Sequence, residues 1–197
     1  MRQPTFPSAG PRGAAPLGRF PRLLLALVIL ALLSQGILSL VRGWRARESG
    51  FDGARWVWIS AAPERAPVRF SAVREFSLPA TPSRAIARVF VDPRFALWLN
   101  GSLAGAGGQR PGDPPAALEV ASLLRKGKNT VAIVAESPDG VGGILFSLET
   151  GDRSTAVVSG PDWSTDASAR PLSPTGSLRA AVLGRPPLYP WGYAGGR

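Results

Sequence analysis

The chain has no histidine and no cysteine, and only one methionine and two tyrosines among its 197 residues. Without imidazole or thiol, Ser-His-Asp and Cys-His nucleophile systems are excluded, as are His/Cys metal sites and any disulfide framework. Acidic residues are few and confined, all 13 lying between Glu48 and Asp166. Seven arginines precede residue 48 and four follow residue 168, with no acid beside them. Residues 48–168 are nearly neutral, with 12 basic and 13 acidic side chains. The net charge of +10 therefore belongs to the two ends. Phosphate binding needs a clustered basic face, so nucleic acid is not an expected partner. Arginine outnumbers lysine 21 to 2, which fits a GC-rich coding bias better than selection for phosphate contacts.

Glycine and proline are plentiful, 23 and 20 residues, as in a chain of many turns or extended tails. The length allows one ordinary domain plus such tails, or two very small domains. Leu23 to Val41 (LLLALVILALLSQGILSLV) is an uncharged run of 19 residues. As a helix it would span about 28 Å, near the thickness of a bilayer's hydrocarbon core. Phe20 and Trp44 flank it, where aromatic rings favour the headgroup region. A cleaved signal peptide ending near Ser34-Gln35-Gly36 is the alternative. The apolar residues resume at Ile37, and a leader of 22 residues precedes the run, both of which favour a retained anchor. Arg2, Arg12, Arg19 and Arg22 before the run, against Arg42, Arg45 and Arg47 with Glu48 after it, orient the N-terminus to the cytoplasm. Expected are a disordered cytoplasmic segment over 1–22, a transmembrane helix over 23–41 and a juxtamembrane linker over 42–54. The setting would be a bacterial inner membrane, with the body periplasmic.

From residue 55 the pattern turns to short runs of aromatic and β-branched residues. Strands are expected at Trp56–Ile59, Val68–Leu78, Arg84–Val91, Phe95–Leu99, Asn129–Ala135, Gly143–Glu149 and Thr155–Ser159, with Leu118–Leu124 a short strand running into a turn. Asn100-Gly101 suits a type I′ hairpin, because both residues tolerate positive φ. The fold class is mainly β: an antiparallel sandwich or barrel over 55–166, followed by an extended arm over 167–197.

The stretch Arg74 to Trp163, 90 residues, resembles the galactose-binding-like jelly-roll domains, in particular the accessory β-sandwiches of bacterial rhamnosidases and β-galactosidase-type enzymes. Three segments carry the likeness. REFSLP (74–79) is followed by a strand and by DPRFALWLNGSLAG (92–105). LEVASLLRKGKNTVAIVA (118–135) resembles a strand, a leucine-rich turn, Lys-Gly-x-Asn and a buried strand. GGILFSLE (142–149), with SGPDWST (159–165) after it, is similar to the closing element. The resemblance implies a non-catalytic module that binds sugars or packs beside other domains.

No cofactor or metal set is implied by the residues. Asp92, Asp139, Asp152 and Asp162 fall near expected loops, where Asp favours turns, and no calcium-loop pattern is present. Gly105-Ala106-Gly107-Gly108 lacks the Lys-Ser/Thr of a phosphate loop and is expected to be a plain loop. Trp98 and Trp163 could stack on a sugar, with Asp92 as a polar contact, although tryptophan in a strand is more often core. The arm is basic and proline-rich, yet it carries Tyr189, Trp191 and Tyr193. Exposed rings gain nothing from water, so these three are the expected contacts with a groove on this domain or on another subunit.

The leading expectation is a non-enzymatic, membrane-anchored structural or assembly subunit. Its partners would be the lipid bilayer and other subunits of a multi-subunit membrane complex of respiratory, photosynthetic or secretion type. The alternative is a membrane-tethered carbohydrate-binding module with glycans as partners.

Overall fold

The computed structural model describes residues 24–25, 27–37, 50–62, 65–151, 154–170 and 178–192. The chain divides into two compact units, residues 1–42 and 43–197. In the first, residues 27–37 are helical, and their leucines and isoleucines are exposed. No helix among the described residues is long and apolar enough to cross a membrane. The segments expected as a cytoplasmic tail, as most of the juxtamembrane linker and as both ends of the anchor lie outside the described residues.

The second unit is built of strands. In chain order they are β1 (Trp56–Trp58), β2 (Val68–Leu78), β3 (Ala85–Asp92), β4 (Arg94–Leu99), β5 (Ser102–Gly107) and β6 (Ala116–Glu119). A 3-10 turn at Ala121–Leu123 precedes β7 (Gly127–Ser137), β8 (Gly143–Thr150) and β9 (Thr155–Val158). Three short strands close the chain: β10 (Ser164–Asp166), β11 (Leu178–Arg179) and β12 (Ala181–Gly184). They form two antiparallel sheets. One runs β12-β1-β8-β3-β6, with β9 also on β8; the other runs β11-β10-β2-β7-β4-β5. Mainly β, a sandwich of two antiparallel sheets, is the architecture.

The core lies between the sheets. Period-two alternation sends Phe70 and Ala72 of β2, Leu97 and Leu99 of β4, and Val131 and Ile133 of β7 to the inner face. From the opposite sheet come Val89, Val91, Phe146 and Leu148. Trp163 belongs here too. It is 1% exposed, sits edge-on to Phe146 with ring centroids 5.5 Å apart, and donates its indole N–H to the Val158 carbonyl at 2.8 Å.

A second, smaller cluster covers the outer face of the first sheet. Phe51, Ala54, Trp56, Phe90, Leu145 and Trp191 compose it. Trp191 stacks on Trp56, centroids 4.6 Å apart, and Phe90 meets Trp56 edge-on at 5.4 Å. Two tryptophans can lie against β8 because Gly143 has no side chain; a Cβ there would stand 2.9 Å from Trp56 and 3.0 Å from Trp191. Covered on both faces, β8 reads as a continuous apolar run rather than an alternating one.

The residues expected as a separate arm take part in both sheets. β11 pairs with β10, and β12 pairs with β1 through Val57↔Val182 and Trp58↔Ala181. Gly105 to Gly107, expected as loop, complete β5. The Asn100-Gly101 turn sets their register against β4, both residues taking positive φ (51° and 83°). Gly108 follows because a Cβ there would collide with the Pro93 carbonyl.

Candidate functional site

The polar residues of the recognisable motifs are spent on structure. Asn129 is fully buried near the start of β7. Its amide donates to the carbonyls of Arg125 (2.7 Å) and Gly127 (2.9 Å), and its oxygen accepts from the Arg125 N–H (3.0 Å). That oxygen also accepts from the Asn100 amide at 2.8 Å, while Asn100 Oδ1 accepts from the Thr130 N–H at 2.9 Å. The hairpin Asn-Gly and the Lys-Gly-x-Asn turn thus meet as one hydrogen-bonded joint. Neither side chain is available to a ligand.

The aromatic candidates are separated by the fold. Trp163 is sealed in the core and is withdrawn as a sugar contact; Phe146 and the Val158 carbonyl occupy its ring edge and its N–H. Trp191, expected to contact a groove on this domain or on another subunit, is 6% exposed and turned onto Trp56. Its indole N–H donates to Asp92 Oδ2 at 2.7 Å, so the C-terminal segment docks on its own domain and occupies Asp92 as it does so. Tyr189 is 94% exposed, and Tyr193 lies outside the described residues. Trp98 is half-buried on the outer face of the second sheet.

The acidic residues separate too. Asp162 is on the surface near Arg74, 3.4 Å from its guanidinium, and Asp152 lies outside the described residues. Asp139 accepts from Ser137 Oγ (2.8 Å) and the Val141 N–H (3.1 Å); those bonds, the serine's first, hold its carboxyl below the usual range. Asp92 moves the other way. Burial raises its pKa, the Trp191 N–H opposes this, and the charges of Asp139, Arg110 and Asp113 act on it more weakly. Among the described residues no three His, Cys, Asp or Glu side chains gather as a metal-binding group.

A concave region lies beside these residues. At the end of the second sheet, where β2 and β4 begin and β5 and β7 finish, a groove of about 850 Å³ is lined by Arg69, Arg94, Gln109, Arg110, Asp113 and Glu136, among others. Strand register builds it: Arg69 of β2 and Arg94 of β4 both stand opposite Glu136 of β7. Residues directly opposite share a face of the sheet, so the three form a rung Arg–Glu–Arg across neighbouring strands. Arg69 Nε meets Glu136 Oε1 at 2.7 Å, with both side chains well exposed. The far wall is fixed by Gln109, which is buried; its Oε1 accepts the Val91 N–H at 2.8 Å and its own N–H donates to the Val91 carbonyl at 2.9 Å. Asp113 Oδ2 accepts the Arg110 N–H at 2.8 Å and so holds the loop that presents Arg110.

A smaller recess of about 290 Å³ shares Arg69, Arg94, Gly107 and Glu136 with the groove and extends along the sheet to Trp98. Ala169, in the turn that follows β10, lines its other wall. Of the sequence candidates, only Trp98 borders this region directly, with Asp92 behind it through the charges of Arg110 and Asp113. The arginines and Glu136 were missed because their meeting depends on register between strands tens of residues apart. The one local hint was opposite charge near the start of one expected strand and just past the end of another, Arg69 and Glu136.

A two-layer antiparallel sandwich of this topology is a galactose-binding-like fold, as the three sequence segments implied. Solved structures bear the likeness out. The GH78 family rhamnosidase of Bacillus sp. GL1 superposes with a TM-score of 0.62 at 20% identity, over 71% of this chain and 19% of that one. The Streptomyces avermitilis α-L-rhamnosidase complexed with L-rhamnose gives 0.57 at 18%, over 72% and 16%. The Pleurotus ostreatus lectin in complex with GalNAc gives 0.60 at 20%, over 72% and 46%. This chain therefore spans less than half the length of each, and what is common to them is the fold. No family model and no curated protein matches the sequence.

Proposed function

We propose that this protein is a non-catalytic carbohydrate-binding module, its sandwich taking a glycan in the groove at the end of the second sheet and along it to Trp98. The groove itself carries this reading: a concavity of about 850 Å³, rich in planar hydrogen-bonding side chains and continuing to an aromatic ring. That volume lies within the usual range of small-ligand sites. Sugars present hydroxyls at their edges and C–H groups on their faces, so guanidinium, carboxamide and carboxylate groups beside an indole match both. The lectin and rhamnosidase neighbours support the same class of ligand.

The assembly-subunit reading has less behind it, because Trp191, one of its three expected anchors, is turned onto Trp56 within the domain. Tyr189 alone of the three aromatic contacts points outward among the described residues.

Tethering to a bilayer remains part of the proposal, supported by the uncharged run 23–41 and by the exposed apolar side chains of residues 27–37. Alkaline carbonate extraction should leave the full chain in the membrane pellet. Its release as soluble protein would remove the tether and leave the sugar site untouched.

The binding test is a glycan array with the full chain and its Trp98→Ala variant. Loss of a stacking ring should weaken any bound glycan by about tenfold or more. Equal binding by both proteins would take Trp98 out of the site, and an empty array would remove the function.

A further inference from the structure

The groove's charge points beyond sugars in general. Residues 48–168 are nearly neutral, yet the groove gathers three guanidinium groups, Arg69, Arg94 and Arg110, against two carboxylates, Glu136 and Asp113. Among the described residues, Arg69 is the one of the three with an ion-pair partner, Glu136. Among the described residues, Arg94 and Arg110 make no ion pair, and no side-chain hydrogen bond is formed by either guanidinium. Asp113 accepts the Arg110 main-chain N–H and shapes the loop.

Glu136 sits between Arg69 and Arg94 on one rung, and neighbouring strands stand about 4.8 Å apart. A carboxylate in the gap is therefore already gripped from one side, and a second carboxylate arriving from the groove would meet the unpaired forks of Arg94 and Arg110. Guanidinium matches the two oxygens of a carboxylate with two parallel hydrogen bonds, which a neutral hydroxyl cannot return.

We propose that the groove selects acidic sugars, with the ligand's carboxylate held by Arg94 and Arg110 and Glu136 acting as a built-in competitor. This rests on the carbohydrate reading and names its ligand class: uronic acids and other carboxylate-bearing sugars.

The test uses the full chain in mild detergent and four probes: trigalacturonate, its trimethyl ester, a sulfated oligosaccharide and N-acetylgalactosamine. The ester keeps the shape of the acid and removes its charge. Expected is binding of the free acid about 10- to 100-fold tighter than the ester, the range of a charge-assisted hydrogen-bond pair. In Arg94→Gln the preference for the acid over the ester should collapse, the two then binding alike. Glu136→Gln should tighten the acid several-fold, since it removes a like charge from the same gap. Arg94 and Glu136 lie at the sheet surface, and unchanged melting temperatures would show that both variants fold. Acid and ester bound alike, with no effect of Arg94→Gln, would overturn the acidic preference and leave sugar binding standing. A sulfated oligosaccharide bound as well as the acid, in wild type and Arg94→Gln alike, would mean general polyanion attraction and would also overturn it. Binding of none of the four would remove both proposals.

Discussion

Asn129 illustrates how a motif residue can look functional and be structural. Its side chain takes part in four hydrogen bonds in a fully buried position. Asn129→Ala would remove the partner of the Arg125 N–H, of the Arg125 and Gly127 carbonyls and of one N–H of the Asn100 amide, which keeps its bond to the Leu123 carbonyl; each lost partner costs about 1–3 kcal/mol where water does not replace it. Stability should fall by about 3 kcal/mol or more in denaturant titration, with the hairpin and the β7 turn loosening together. Asp92 behaves differently, because burial holds its folded pKa above the ordinary 3.8. A carboxyl raised on folding contributes most below its unfolded pKa, and the contribution fades as pH rises through the folded value. Asp92→Asn keeps an acceptor for the Trp191 N–H and removes the charge. The difference in melting temperature, variant minus wild type, should therefore rise from pH 4 toward pH 7. A difference that is flat with pH would mean that the carboxyl is not raised.

At the scale of elements, the strands with aromatic and β-branched residues were legible, and β2 runs over the same residues, 68–78, as its pattern predicts. β5 was not, because Ser-Leu-Ala-Gly-Ala-Gly has little intrinsic strand preference; the hairpin turn and pairing with β4 impose it. β10 to β12 were hidden for a related reason. They have two to four residues each, too short for periodicity to register, and proline around them reads as tail. The rings of PPLYPWGY did carry a signal, that an exposed aromatic tail is costly, but not which surface answers it. That surface is Trp56, Phe90 and Leu145 of the same domain. Deleting residues 178–197 removes β11, β12 and Trp191 and uncovers Trp56. We expect a large drop in melting temperature with aggregation, and for Trp191→Ala alone a loss of about 3–5 kcal/mol in chemical denaturation. A truncated protein that melts like the full chain would show that the segment is only loosely attached.

Across the whole molecule, two kinds of surface are distinguished by what covers them. The outer face of the first sheet is closed by the chain's own Phe51 and Trp191, while the second sheet keeps a polar groove running to a half-buried tryptophan. The sandwich could be read from sequence because local alternation and turn residues specify it. The groove could not, because Arg69, Arg94, Arg110 and Glu136 are separated by up to 67 positions and meet only through register. Composition did narrow the chemistry: a chain with no histidine or cysteine has guanidinium, carboxylate, amide and indole to offer, and those are the groups the groove presents. The most direct measurement follows the tryptophan indole N–H signals of the full chain by NMR during titration with trigalacturonate and with N-acetylgalactosamine, Trp98 being assigned from Trp98→Phe. Movement of the Trp98 signal, with Trp58 and Trp163 unmoved because their N–H groups are bound to the Gly140 and Val158 carbonyls, is the expected result. A bound sugar that leaves Trp98 unmoved, or that shifts Trp56 and Trp191 instead, would place the site on the other sheet and contradict the proposed groove.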